Sequence, residues 1–320
     1  MSKTSKTTLV GLVVASLVGS AAAQDAKVVD WNFPGGRASA FLVSAIAEHA
    51  LGLNVELAPP LAVPVLWEAL DRADGEVDIH TEVWMPNQGG LVASYVDEKG
   101  SVVLSERPWM GVQGYCVTPA AIEQGITSVF DLSNPDNAVL FDSNGDGMGE
   151  IWVGSEGWQS TNIERIRARD YGIEEFFELQ AAEESVATAS LDRAFNADRA
   201  WVGYCYGPHH NFTLYNLTLL DEPAHDPDAF VMVQPNADPD WYNLSSVSSA
   251  YPETTIRIGY VAGLEERQPA LVQLLRNIQL NADDINAFAY ELVVNERDPV
   301  EIAAQWVDAN SGTVQSWVGE

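Results

Sequence analysis

The chain reads as an α/β protein built on a mainly parallel sheet with helices on both faces. Short β-branched runs alternate with helix-length segments from residue 27 onward, which argues for strand–helix–strand units. Apolar residues make up 47% of the 320-residue sequence, enough for a sizeable core. The length suits either two lobes or one large α/β domain.

The elements follow in order. Lys27 to Asp30 is a first strand, Ala38 to Leu51 a helix ending at Gly52, and Val55 to Leu57 a second strand. Val63 to Ala73 is a helix and Val77 to Val83 a third strand. After Pro108-Trp109-Met110-Gly111 a second series opens with strand Gln113 to Val117. It runs through helix Ile122 to Gln124, strand Ala138 to Phe141, helices Asn162 to Tyr171 and Ser185 to Asn196, and strand Ala200 to Tyr206. Residues 221–249, rich in Pro, Asp, Asn and Ser, are expected to be irregular. Strand Ile256 to Val261 and helices near Gln268–Leu280, Ala282–Val294 and Pro299–Ala309 complete the chain.

The first 23 residues carry Lys3 and Lys6, an apolar run of about a dozen residues and an Ala21-Ala22-Ala23 ending, the pattern of a cleaved export signal. That run is shorter than the roughly 20 residues a membrane-spanning helix needs. The expected product is an exported, soluble chain starting at Gln24, with no cysteine near the cut to carry a lipid. A formal charge of −30 makes nucleic acid and anionic lipid poor partners and favours solubility in salty surroundings. Cys116 and Cys205 both lie in strand-like runs, so a cross-strand disulfide and two buried thiols are both consistent with the sequence.

Three strand ends share a form: Trp31-Asn32-Phe33-Pro34, Trp84-Met85-Pro86 and Tyr206-Gly207-Pro208. Each sets a large aromatic at the carboxyl end of a strand, where open α/β sheets bind ligands. Aromatic faces attract cations, above all weakly hydrated methylated ammonium or sulfonium groups. Three or four desolvated rings would contribute on the order of 4–8 kcal/mol, and micromolar affinity corresponds to about 8 kcal/mol. Asp142-Ser143-Asn144-Gly145-Asp146-Gly147-Met148-Gly149-Glu150 matches the first nine positions of a calcium loop, with Asp142, Asn144, Asp146, Met148 and Glu150 as candidate ligands. Position 12 is Val153 instead of a bidentate Glu, and a self-bonded Asx-type turn explains the same residues. His209 and His210 are adjacent and lack the further ligands a zinc site needs, so they read as turn residues. Glu82 and Glu156, each two residues before a tryptophan, are placed to balance a bound cation.

Together these motifs, with Phe141 to Gly147, Gly157-Trp158 and the tail from Asp298-Pro299 through Trp306 to Trp317, resemble the periplasmic binding proteins of glycine-betaine, proline-betaine and choline ABC importers. The resemblance covers essentially everything after the leader. It implies a type II binding protein with no catalysis: two α/β lobes, residues 25–112 with 252–320 and residues 113–251, joined by two crossing strands near Gly111-Val112 and Tyr251-Pro252. It implies a monomer in the periplasm that closes over a quaternary ammonium in an aromatic box and docks on a membrane permease. By motif, Trp84, Trp158 and Tyr206 match box positions of betaine binders, and Trp31 and Tyr115 those of choline binders. The sequence departs at the other end of the ligand. Gln88 stands where betaine binders carry a histidine for the carboxylate, and Phe33 where choline binders carry an acid for the hydroxyl. Ser160 and the backbone after Trp158 offer donors for an anionic oxygen at a helix start. Trimethylamine N-oxide and dimethylsulfoniopropionate fit the same box. Two rival readings are a binder of an unrelated solute and a secreted calcium-dependent hydrolase using Glu82, Glu156 or the histidines.

Overall fold

The computed structural model describes residues 24–318; the expected export signal lies outside them. Twelve strands are present among these residues: β1 (Ala26–Val29), β2 (Val55–Ala58), β3 (Ile79–Met85), β4 (Val102–Leu104), β5 (Trp109–Val117), β6 (Gly149–Gly154), β7 (Phe177–Ala181), β8 (Val202–Gly207), β9 (Thr218–Leu219), β10 (Phe230–Val231), β11 (Ser246–Val247) and β12 (Thr254–Val261). The main sheet runs β2-β1-β3-β12-β5-β8-β6-β7, with β4 added beside β12 and β9 beside β5. Pairing is parallel for β2-β1-β3 and for β8-β6-β7. It is antiparallel at β12 and β5, the two strands that join these sets.

β5 does this by changing partners along its length. Trp109 to Gly111 pair with β12, and Val112 to Val117 pair with β8. A Cβ at Gly111 would stand 2.9 Å from the Gly207 carbonyl and 3.1 Å from the Trp84 ring, so the crossing point admits only glycine without a shift. The largest apolar core surrounds β1, β3 and β12, and a second one lies under β5, β6 and β7. The fold is the expected mixed α/β arrangement, two parallel sets of strands joined by antiparallel pairing at β12 and β5.

The helices obey ordinary end rules. Pro34 opens Pro34–Leu51, and Gly52, at φ 67°, closes it with its amide on the Ala47 and Glu48 carbonyls. Asn281 and Asp298 accept backbone N–H bonds from Asp284 and Val300 at the starts of Ala282–Val293 and Pro299–Ala309. Both helices pack on Pro34–Leu51.

One expected strand moves. Ala138 to Phe141 is not extended: Asn134 caps a helical turn at Pro135–Ala138, and the strand falls after the Asp-Gly loop, at β6. The apolar residues before the loop belong to this turn, and the extended run begins only after it. β7 carries no strong apolar run and was not anticipated. Residues 221–249 hold only β10, β11 and the turn Trp241–Leu244.

Candidate ligand-binding site

The carboxyl ends of β1, β3 and β8 meet at one cleft, closed on its far side by the start of helix Gln159–Asp170. The end of β3 brings Glu82 and Trp84 to the cleft, and alternation along β8 sends Tyr204 and Tyr206 to one face. Trp31 and Phe33 follow β1 directly. A Cβ on Gly36 would stand 2.6 Å from both rings, so that glycine is what lets them lie across the helix's first turn. Trp158 is the residue before helix Gln159–Asp170.

Tyr206 is the hub of the cleft. Its ring meets Trp84, Trp158 and Phe33 edge to face at 5.6, 5.7 and 6.1 Å between centroids. Phe33 and Trp158 also meet at 5.5 Å. Such T-shaped pairs are worth about 0.5–1.5 kcal/mol each beyond area burial. Behind the ring, the Tyr206 hydroxyl donates to Glu184 Oε2, and His209 Nε2 lies 2.7 Å from Glu184 Oε1.

At the base sits Glu82, buried to 4% exposure. Ser39 Oγ donates to its Oε1 at 2.6 Å and Trp84 Nε1 to its Oε2 at 2.7 Å. Burial pushes its pKa up to about 7, against the lowering effect of those two bonds. His80, just beneath, takes the Glu82 N–H on Nδ1 and donates from Nε2 to Gln88 Oε1, and burial pushes its pKa down to about 4. Gln88 is further tied by Trp67 Nε1 to its Oε1 and by its own Nε2 to the Glu82 carbonyl.

Of the residues anticipated from sequence, Trp31, Trp84, Trp158, Tyr206, Gln88 and Ser160 all line this cleft. Two do not. Tyr115 lies deeper along β5, opposite Tyr204, with its hydroxyl on the Glu164 carbonyl and its ring 4.9 Å from the Arg167 guanidinium. Glu156 points to solvent and pairs with Arg165, because Gly157 at φ 87° turns the chain between it and Trp158. Five lining residues are not among the site residues expected from sequence: Phe33, Val63, Asn87, Gln159 and Tyr204. Phe33 stands in the sequence where choline binders carry an acid, and Tyr204 shares the strand face of Tyr206, which is the signal the sequence offers.

The candidate calcium loop is bonded to itself. Asp142 accepts the N–H groups of Gly145 and Gly147, Asn144 that of Asp146, Asp146 that of Met148, and Glu150 that of Ser143. Among the described residues no group of three or more His, Cys, Asp or Glu side chains gathers as metal ligands. His210 stacks on His209 at 4.6 Å within the turn. Cys116 and Cys205 form a disulfide between β5 and β8. No described helix is long and apolar enough to cross a membrane.

A family profile for OpuAC, the substrate binding domain of ABC-type glycine betaine transport systems, matches residues 25–309. The glycine betaine/proline betaine-binding periplasmic protein of Salmonella typhimurium is 22% identical over 65% of this chain, which thereby spans 64% of that relative. The glycine betaine/carnitine transport binding protein GbuC of Listeria monocytogenes is 28% identical over 47% of this chain and 42% of its own length. Among solved structures, an ABC-transporter choline binding protein in complex with choline superposes with TM-score 0.71 at 21% identity, covering 92% of this chain and 91% of its own. The lactococcal OpuAC with glycine betaine superposes with TM-score 0.70 at 20% identity, over 92% and 100%. These likenesses extend the fold over nearly the whole described chain, and the relatives are transport binding proteins instead of enzymes. The chain belongs to the family of substrate-binding domains of ABC-type glycine betaine transport systems.

Proposed function

We propose that this chain is the solute-capturing component of an importer: a periplasmic monomer that binds a small methylated ammonium or sulfonium solute and delivers it to a membrane permease. The observation that carries the reading is the cleft itself, in which Trp31, Phe33, Trp84, Trp158 and Tyr206 surround a buried carboxylate, Glu82. Rings of this kind attract a weakly hydrated cation by about 1–2 kcal/mol each when desolvated. Residues 25–112 with 252–320 form one lobe and 113–251 the other; in support, β5 and β12 are the strands that join the two parallel sets. Closure about them is a hinge motion. Asn32 Nδ2 donating to Glu183 Oε2 at 2.7 Å, and Phe33 against Trp158, are contacts that opening would break.

Titration calorimetry of residues 24–320 against glycine betaine, choline, carnitine, trimethylamine N-oxide and dimethylsulfoniopropionate tests the reading. At least one ligand binds in the micromolar range or tighter. If none of the five binds, the cleft is not a methylated-cation site.

A further inference from the structure

A second cavity lies away from the cleft, toward the amino end of β8. It opens between the second half of helix Glu184–Asn196, the strands β6 and β8 and the Asp142 loop. It encloses about 430 Å³, against about 50 Å³ in the cleft, and the two share no lining residue. Small-molecule sites run from roughly 300 Å³ upward.

The floor is aromatic, made by Phe141, Trp152 and Trp201. Both indoles are held in place. Trp152 Nε1 donates to the Ala182 carbonyl at 2.9 Å, and Trp201 Nε1 to Ser190 Oγ at 2.9 Å. A Cβ on Gly203 would stand 2.5 Å from the Trp201 ring and 3.2 Å from Trp152, so glycine on β8 is what lets the Trp201 ring lie down beside Trp152. With their N–H groups committed, the indoles offer ring surface, which suits another ring.

At the rim stand Arg193 and Arg199, both exposed. Among the described residues eight of the twelve arginines hold an ion pair with a carboxylate, and Arg107, Arg193, Arg199 and Arg257 do not. Two of those four meet at one cavity, in a chain with 46 acidic residues to 16 basic ones. Arg199 makes one hydrogen bond, from Nη2 to the Asp142 carbonyl, and the rest of its fork is open. Glu150, the only acid in the described lining, takes the Ser143 N–H on Oε2.

We infer that this cavity is a second binding site, for a small aromatic carboxylate. The ligand's ring lies against Trp152 and Trp201, and its carboxylate meets the guanidinium groups of Arg193 and Arg199. A guanidinium is a planar fork whose paired N–H donors match the two oxygens of a carboxylate. The same two charges disfavour a cation, so this site takes a ligand of opposite sign from the one the cleft suits. The inference is independent of what the cleft binds. Trp152 stands between the two, since its ring also meets Trp158 and Tyr204 at 5.9 and 6.1 Å.

The probes are 2-naphthoate and its neutral amide, 2-naphthamide, titrated into residues 24–320 and read by calorimetry and ligand-observed NMR. Naphthoate binds at one site with a Kd of about 1 mM or tighter. Naphthamide binds at least about tenfold more weakly, because the charge-assisted bonds are lost. Arg193→Gln weakens naphthoate about tenfold, and the double variant Arg193→Gln/Arg199→Gln binds acid and amide alike. Arg193 is exposed and bonds to no described residue, so its replacement leaves the fold intact. Trp84→Ala, which alters the cleft, keeps naphthoate affinity within about threefold, as separate sites require. Each of four results overturns the inference: no binding up to about 10 mM, equal binding of acid and amide by the wild type, full affinity in the double variant, or affinity lost in Trp84→Ala.

Discussion

Two aromatic cages stand out among the described residues, and only one of the two has a cation of its own. Under β5, Tyr115, Tyr251 and Tyr171 surround the Arg167 guanidinium at 4.9, 5.0 and 5.9 Å. Glu164 and Glu222 pair with the arginine, and Tyr251 and Tyr171 donate to those same carboxylates. In the cleft, rings and a carboxylate recur, yet the described lining has no basic side chain. The ingredients are alike and the charge balance is opposite. A cage that encloses its own arginine is a structural ion network, whereas one with only the carboxylate suits a cation brought from outside.

The difference can be broken from either side. Replacing Arg167 by Met leaves Glu164 and Glu222 without their partner, and should cost about 3–5 kcal/mol of stability in a urea or guanidinium titration. A loss under about 1 kcal/mol would mean the inner cage is not a network that the fold depends on.

The second test concerns pH. Glu82, raised from 4.5 to about 7, keeps in the fold a proton that the unfolded chain releases. Its stabilising effect is complete below about 4.5 and lost as pH rises to 7. His80, lowered from 6.5 to about 4, stays neutral in the fold while the unfolded chain takes up a proton. Its effect is complete above 6.5 and lost as pH falls to 4. The two slopes oppose each other between. In Glu82→Gln only the histidine slope remains, so stability climbs with pH from 4 to 6.5 by on the order of 3 kcal/mol relative to the wild-type profile. Parallel profiles for the two proteins would show that Glu82 does not carry its proton into the fold.

Smaller effects are expected from the rings. Trp84→Ala or Trp158→Ala should weaken the tightest ligand about tenfold, near 1.4 kcal/mol, with the melting transition still cooperative. Tyr206→Phe retains the ring and loses the bond to Glu184. It should lower stability by about 1 kcal/mol and change affinity less than about threefold. A large affinity loss in Tyr206→Phe would show that the hydroxyl, and not the ring face, meets the ligand.

Much of the cleft is legible in the sequence because strand ends are. Trp31, Trp84 and Tyr206 each close a strand ahead of a proline, and the sheet brings those ends together. Tyr115 shows where this reasoning stops. It shares a sheet face with Tyr204 and Tyr206, but lies further along β5, under helix Gln159–Asp170, and depth along a strand has no sequence signature. Glu156 shows the same limit in a turn, since one left-handed glycine sends it to solvent. Asn87 and Gln159 line the cleft with no pattern in the sequence to mark them, and only the folded neighbourhood reveals it. The fold's central alternation is read correctly, while β6 and β7 are missed where an Asp-Gly loop and a mostly polar strand hide the period.

The position of β12 also has a consequence in time. Synthesis delivers Pro34–Leu51 early, yet the helices Ala282–Val293 and Pro299–Ala309 that pack on it, and the β12 strand that pairs with β3, come from the last fifth or so of the chain. Helix Pro34–Leu51, with buried Leu42, Val43 and Ile46, therefore lacks much of its partner surface until residues 254–309 arrive. Residues 113–251, by contrast, contain the β8-β6-β7 set and the Cys116–Cys205 bridge within one continuous stretch. The order of assembly thus departs from the order of synthesis: the middle of the chain is the first part able to close its core. The cleft, which needs β1, β3 and β8 together, is the last thing the molecule completes.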